Sequence, residues 1–292
     1  MHGTGTVLAS FGRGVLVSSD DAILRCALLG RKLRPVCGDR VSWSVSRAAD
    51  GPAVESVEAR RNLIERIDAR GRAEPVAANI DRLAIVIAPE PTPDWFLVDR
   101  YCAAALLKDI EVLLIANKSD LGFEPLQPEL AMYRQLGIAC LEVACAPTAG
   151  LDSLRAALEG VTLLVGQSGV GKSSLVNVLS EDAAAITAEL TREAEGRHTT
   201  TTARWYALGG QAAIMDAPGV RDFAPPAHLV RAAERGFAEV HAQSRHCRFN
   251  DCRHFEEPGC AVRQAVGALK ISARRYESYR RLARLYEELS PH

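Results

Sequence analysis

The order of two short motifs limits what this chain can fold into. Asn117-Lys118-Ser119-Asp120 comes first, and Gly166-Gln167-Ser168-Gly169-Val170-Gly171-Lys172-Ser173 follows it. The second motif fits G-x-x-x-x-G-K-[ST]. It stands after the apolar run Thr162-Leu163-Leu164-Val165 and opens into Ser174 to Leu179, a helical stretch. Glycines at these positions let successive backbone N–H groups turn inward on phosphate oxygens, and the helix N-terminus adds the positive end of its dipole. Lys172 is placed to reach the β- and γ-phosphates, Ser173 is placed to ligate Mg²⁺, and Ser174 closes the binding run.

A phosphate loop does not choose between bases; Asn117-Lys118-Ser119-Asp120 does. It follows the apolar strand Val112 to Ala116. Asp120 can accept from guanine N1–H and from the 2-amino group, whereas adenine offers neither and would leave the carboxylate unpaired. Asn117 helps position the base, and the Lys118 stem lies along its ring face. Asp216-Ala217-Pro218-Gly219 follows Ala213-Ile214-Met215 and fits D-x-x-G, with Asp216 and Gly219 sensing Mg²⁺ and the γ-phosphate. Between them lies Gly196-Arg197-His198-Thr199-Thr200-Thr201, polar and flanked by charge as a switch loop is. Thr199 or Thr200 is placed to complete the Mg²⁺ shell, and Thr200 is the candidate carried forward. In ordinary GTPases the phosphate loop comes first and N-K-x-D late. Here the order is circularly permuted, which a chain tolerates when new ends are cut in a surface loop. The switch after Asp216 then leads directly into the C-terminal region.

The rest of the 292 residues divides around this core. Hydrophobic residues make up 48% but aromatics only 5%, so the core is built mostly from Leu, Val, Ile and Ala. Val7–Phe11, Val15–Val17, Ala22–Leu28, Val41–Val45 and Ala53–Val57 read as short strands with no long helix between them, a small β-barrel. Periodicity alone leaves an OB-fold and an SH3-like barrel both open. From Ile80 onward, buried strand patterns (Leu83–Ile87, Val112–Ala116, Ala139–Val143, Thr162–Val165, Ala212–Met215) alternate with helical ones (Val98–Leu107, Glu129–Leu136). That alternation implies a mostly parallel α/β sheet. Near the end, Tyr276, Tyr279, Leu282, Leu285, Tyr286 and Leu289 recur at helical spacing. Arg274, Arg275, Arg280, Arg281 and Arg284 sit between them, a basic face available to nucleic acid. The expected domains are 1–71, 72–229 and 230–292.

The formal net charge of -1 gives no whole-chain argument for nucleic acid. No basic start precedes an apolar run and no stretch is long enough to span a bilayer, so a cytoplasmic protein is expected. Its eight cysteines should be reduced, and four residues stand apart: Cys247, Cys252, His254 and Cys260 form a complete Cys₃His set for one structural Zn²⁺.

Taken together, these motifs resemble the RsgA/YjeQ family of circularly permuted GTPases over nearly the whole chain. Ala78-Asn79-Ile80-Asp81 and Val36-Cys37-Gly38-Asp39-Arg40-Val41 are two smaller matches. The resemblance implies an OB-fold, a P-loop GTPase core and a zinc-binding helical domain, in a monomer. It implies late maturation of the small ribosomal subunit, rRNA contact and turnover stimulated by that subunit. It also assigns water activation to His198, since Val220 stands where many GTPases carry Gln. At Ala144-Cys145 the family usually has Ser-Ala, a departure beside the guanine. The competing readings are a regulatory GTPase acting on a protein partner, and a zinc-dependent nucleic-acid module stabilised by GTP.

Overall fold

The computed structural model describes residues 1–11, 14–20, 22–29, 33–46, 51–67, 73–180, 203–217 and 232–289. The first strands are β1 (His2–Phe11), β2 (Gly14–Ser19), β3 (Ala22–Leu28), β4 (Arg40–Ser46) and β5 (Gly51–Val57). They close in the order β1-β2-β3-β5-β4, with β3 and β5 parallel. This five-stranded Greek-key barrel resolves the choice in favour of the OB-fold. Val7, Val15, Val17, Cys26, Val41, Trp43 and Val54 fill it.

A hairpin not expected from the sequence follows, β6 (Leu63–Ile67) against β7 (Ala73–Ala78). It leads into the main sheet: β8 (Arg82–Ile87), β9 (Glu111–Ala116), β10 (Ala139–Glu142), β13 (Val161–Val165), β14 (Arg204–Gly209) and β15 (Ala212–Asp216). The small pair β11 (Ala144–Cys145) and β12 (Thr148–Ala149) lies outside this sheet. The sheet order is β10-β9-β8-β13-β15-β14, parallel except for the edge strand β14. Leu83 to Ile87 are all buried, as expected of a strand covered on both faces. Helices α1 (Trp95–Leu106), α2 (Gln127–Gln135), α3 (Leu151–Ala157) and α4 (Lys172–Leu179) supply the cover. Asp94 caps α1, its Oδ1 accepting from the N–H groups of Phe96 and Leu97 at 3.1 and 3.2 Å.

The two smaller family matches meet each other where barrel and sheet join. Asn79 Nδ2 donates to Gly38 O at 2.8 Å, and Ala78 N to Cys37 O at 2.9 Å. Asp39, fully buried, takes a two-pronged contact from Arg60 at 2.7 Å per oxygen and a third bond from Val36 N at 2.8 Å. Leu8, Ala9 and Leu16 of the barrel share a cluster with Leu175, Tyr206 and Ile214 of the sheet region.

The C-terminal part contains α5 (Ala232–Arg235), α6 (Ala238–Ser244), α7 (Ala261–Gly267) and α8 (Ala273–Leu289). Phe237, Val240, Val262, Tyr279, Leu282 and Tyr286 form its core together with Ala103 of α1. The expected basic face of α8 needs correcting at two positions. Arg275 is buried and Arg274 half-buried, and both pair with the fully buried Asp99 of α1, at 2.7 and 2.6 Å. Guanidinium groups drawn to a buried carboxylate are not available to an outside anion. Arg281 and Arg284 remain exposed, lying over the rings of Phe96 and Phe255. Among the described residues no helix is long and apolar enough to cross a membrane.

Candidate nucleotide site and metal centre

The central strand β13 delivers Gly166 at the C-terminal edge of the parallel sheet, where α/β folds bind ligands. The loop that follows is pressed against its neighbours. Gly166 has φ 143°, and a Cβ there would lie 2.2 Å from Val86 O of β8. Gly171 has φ 93°, and a Cβ there would lie 2.3 Å from Asn117 Nδ2. Both positions therefore exclude a side chain twice over, by backbone conformation and by contact. Lys172 opens α4 and folds back across the loop, Nζ donating to Gly166 O at 2.8 Å and Gln167 O at 2.7 Å. Ser168, Gly169, Ser173 and Ser174 are exposed, and Val170 is buried as the loop's anchor.

The base motif is joined to this loop by one buried contact: Asn117 Nδ2 donates to Val170 O at 2.9 Å. On the other side of the amide, the Cys145 thiol lies 3.8 Å from Asn117 Oδ1. Cys145 is thus one side chain away from the base motif, at the position where the sequence departs from Ser-Ala. Lys118, at φ 61°, sends Nζ to Glu90 O at 2.7 Å, and Ser119 N donates to Val143 O at 3.0 Å. Asp120 is exposed, its carboxylate open to a ligand. Gln167, a free position of the loop motif, is engaged: Oε1 accepts from Asp94 N at 2.8 Å and Nε2 donates to Thr92 O at 3.3 Å.

Asp216 ends β15 beside Leu164 and directly opposite Arg204 of β14. Its Oδ1 is buried, with no hydrogen-bond partner among the described residues. Burial pushes the carboxyl above its ordinary range, while the nearby charges of Lys172 and Arg204 pull it back. A buried, unmatched carboxylate oxygen beside Lys172 of the phosphate loop is what a hydrated Mg²⁺ would satisfy, so the residues fit that ion. Arg204 had no motif to mark it. His198, Thr199, Thr200, Thr201, Gly219 and Val220 lie outside the described residues.

In the C-terminal part, one ligand atom each from Cys247, Cys252, His254 and Cys260 lies within 4.8 Å of all the others. Cys247 Sγ and Cys260 Sγ are 4.0 Å apart, and each is 3.5 Å from His254 Nδ1. Tetrahedral Zn–S bonds would set sulfurs about 3.8 Å apart, so the set fits Zn²⁺ with little movement. Helix α8 holds the loop from outside, as Tyr279 Oη donates to Arg253 O at 2.9 Å and Tyr276 Oη to His254 O. Behind the ring, Glu234 Oε2 stands 3.5 Å from His254 Nε2, an ion-pair distance that turns Nδ1 toward the cysteines. Burial would raise Glu234, but contacts from His254, Ser244 and His241 outweigh it and hold the carboxyl at about 2. Glu234 carried no sequence signal, being distant from the Cys/His spacing it supports.

The Asp216 environment has a measurable consequence. Burial makes the folded chain bind this proton more tightly than the unfolded chain does. That contribution to stability is full below the ordinary carboxylate pKa of about 3.9 and is lost as pH rises through the higher folded value. In nucleotide-free, Mg²⁺-free urea unfolding, Asp216→Asn should therefore be more stable than the parent at neutral pH. The difference should close as pH falls to about 4. A pH-independent difference would contradict this assignment.

The comparisons agree with this geometry. The RsgA GTPase family matches residues 57–225. A protein of Azotobacter vinelandii named "Small ribosomal subunit biogenesis GTPase RsgA" is 43% identical over 290 residues, covering 95% of this chain and 84% of that protein. A Pseudomonas aeruginosa protein of the same name is 42% identical, covering 96% and 84%. The crystal structure of YjeQ from Thermotoga maritima superposes with a TM-score of 0.72 at 25% identity, over 99% of both chains. YloQ, described as a circularly permuted GTPase, has the same fold, with a TM-score of 0.71 at 22% identity over 100% and 97%. With its permuted motifs gathered into one site, the chain belongs to the RsgA GTPase family and is a GTP-hydrolysing enzyme.

Proposed function

We propose that this enzyme acts in the biogenesis of the small ribosomal subunit, in the cytoplasm and as a monomer. Its turnover is stimulated by the subunit, and the flanking regions contact rRNA. The observation that carries the reading is the Asn117–Val170 contact, which gathers base motif and phosphate loop into one site. The full-length likeness to proteins named for small-subunit biogenesis supports the partner.

The residues take these roles. Asp120 accepts from guanine N1–H and the 2-amino group, with the Lys118 stem against the ring and Asn117 and Ser119 holding the turn. The N–H groups of Gly166 to Ser174 and the N-terminus of α4 receive the phosphates. Lys172 leaves the carbonyls of Gly166 and Gln167 for the β- and γ-phosphates, which are stronger acceptors. Mg²⁺, when bound, neutralises charge on the transferring phosphoryl group. Ser173 and Thr200 would hold the ion, Asp216 would hold it through water, and Gly219 is assigned to sense the γ-phosphate. His198 orients the attacking water. The organisation is a barrel to residue 71, a GTPase region over 72–229 and a zinc region over 230–292, the first two bridged by the β6–β7 hairpin.

The zinc assignment is checked by metal analysis and heat unfolding. One Zn²⁺ per chain is expected. Cys260→Ser should lose the metal and unfold α7 and α8 at lower temperature; a metal-free wild-type chain with unchanged unfolding would contradict it.

The ribosomal reading is checked by GTP hydrolysis measured with purified small subunits, large subunits or neither. Small subunits alone should raise the rate by ~10-fold or more, and His198→Ala should lose that rate while still binding GTP. Equal stimulation by both subunits, or none, would favour a protein partner instead. Undiminished stimulation of His198→Ala would remove only its catalytic role.

A further inference from the structure

Helix α1 is held at two places, by the phosphate loop and by helix α8. At its N-terminus, Asp94 N–H donates to Gln167 Oε1 of the phosphate loop at 2.8 Å, and Thr92 O accepts from Gln167 Nε2 at 3.3 Å. The preceding Glu90 O accepts from Lys118 of the base motif at 2.7 Å. Five residues beyond Asp94 is Asp99, with no exposed surface. It accepts from Arg274 Nη1 at 2.6 Å, Arg275 Nη1 at 2.7 Å and Tyr133 Oη at 2.5 Å. Arg274 continues to Glu129 at 2.8 Å and Arg275 to Glu239 at 2.5 Å.

The spacing matters mechanically. Five helical residues span about 7.5 Å, so less than two turns separate the brace on the loop from the clasp on α8. Asp99 cannot shed its partners gradually, because a buried carboxylate left unpaired is strongly unfavourable. Asp99 thus ties α1 to α8, and the capped end of α1 is in turn bonded to Gln167.

We infer that Gln167, Asp99 and Arg274 are positioning residues for GTP: through α1, the seating of the C-terminal helix α8 sets the shape of the phosphate loop. This rests on the assignment of residues 166–173 to the phosphates. It uses only described residues, and so is a route separate from the chain after Asp216.

A double-mutant cycle on the full-length chain tests it, reading the Kd of a fluorescent, non-hydrolysable GTP analogue. Gln167→Ala and Arg274→Gln should each weaken binding by about 5- to 10-fold. The double variant should be no weaker than Gln167→Ala alone, because once Gln167 no longer joins α1 to the loop a looser α8 clasp has no route to the phosphates. Arg274→Gln leaves Asp99 with Arg275 and Tyr133, so no buried carboxylate is stranded; if it nevertheless fails to fold, Glu129→Gln takes its place in the cycle. Arg274→Lys, which keeps the charge at Asp99, should restore most of the affinity. Losses that multiply in the double variant, or an Arg274 variant that lowers the unfolding temperature with no change in Kd, would overturn the inference. Lys172→Ala separates the two claims. If it retains full affinity the phosphate-loop reading fails; if it loses affinity while the cycle is multiplicative, only the positioning role fails.

Discussion

One hydrogen bond carries the permuted arrangement: Asn117 Nδ2 to Val170 O, between residues 53 positions apart. In this chain the base motif leaves β9 and the phosphate loop leaves β13, two strands that flank β8 on opposite sides. Nothing in the connectivity brings them together; the parallel register does, by ending all three strands at the same edge. Asn117 then closes the gap, and its burial makes the contact obligatory. A buried carbonyl or amide left without a partner costs about 1–3 kcal/mol. The requirement for glycine at 171 follows, because a Cβ there would occupy the space of the Asn117 amide.

Permutation also decides what lies next to the site. The cut places a β-barrel before β8 and a helical region with the Cys₃His set after β15. Each flanking part is braced by a buried carboxylate that accepts from arginine. Asp39 takes Arg60 of the segment that leaves the barrel, and Asp99 of α1 takes Arg274 and Arg275 of the helical part. Planar guanidinium groups suit this work because each can serve two acceptors in fixed geometry. The continuity expected from Asp216 into the C-terminal region falls on residues outside those described, whereas the α1 connection rests on contacts among described residues.

Much of this was legible in the sequence where chemistry demanded particular residues at particular spacings. The phosphate loop, Asn117 to Asp120 and the Cys247–Cys260 set were found because no other residue types do their work. The central strands were found because Leu83–Ile87 and Val112–Ala116 are uninterrupted apolar runs. The β6–β7 hairpin escaped because Leu-Ile-Glu-Arg-Ile and Ala-Glu-Pro-Val-Ala-Ala do not alternate, and Pro75 argues against a strand. Arg274 and Arg275 were placed on a solvated face because charges at such positions usually are exposed. Their partner Asp99 lies 175 and 176 residues earlier, looking like a polar interruption in the apolar α1 stretch. Glu234 and Arg204 were invisible for the same reason: their roles come from pairing across the fold, which local pattern cannot encode.

The central claim is that two separated motifs build one guanine-selective site, and Asp120 is where that selectivity is read. Equilibrium binding of GTP, ATP and XTP to the parent and to Asp120→Asn tests it directly. Xanthine carries a carbonyl where guanine carries the 2-amino group, and an amide can donate to it. The parent should prefer GTP over both others by ~100-fold or more, and Asp120→Asn should transfer that preference to XTP. Equal affinity of the parent for ATP, or an Asp120→Asn protein that still selects GTP, would contradict the account.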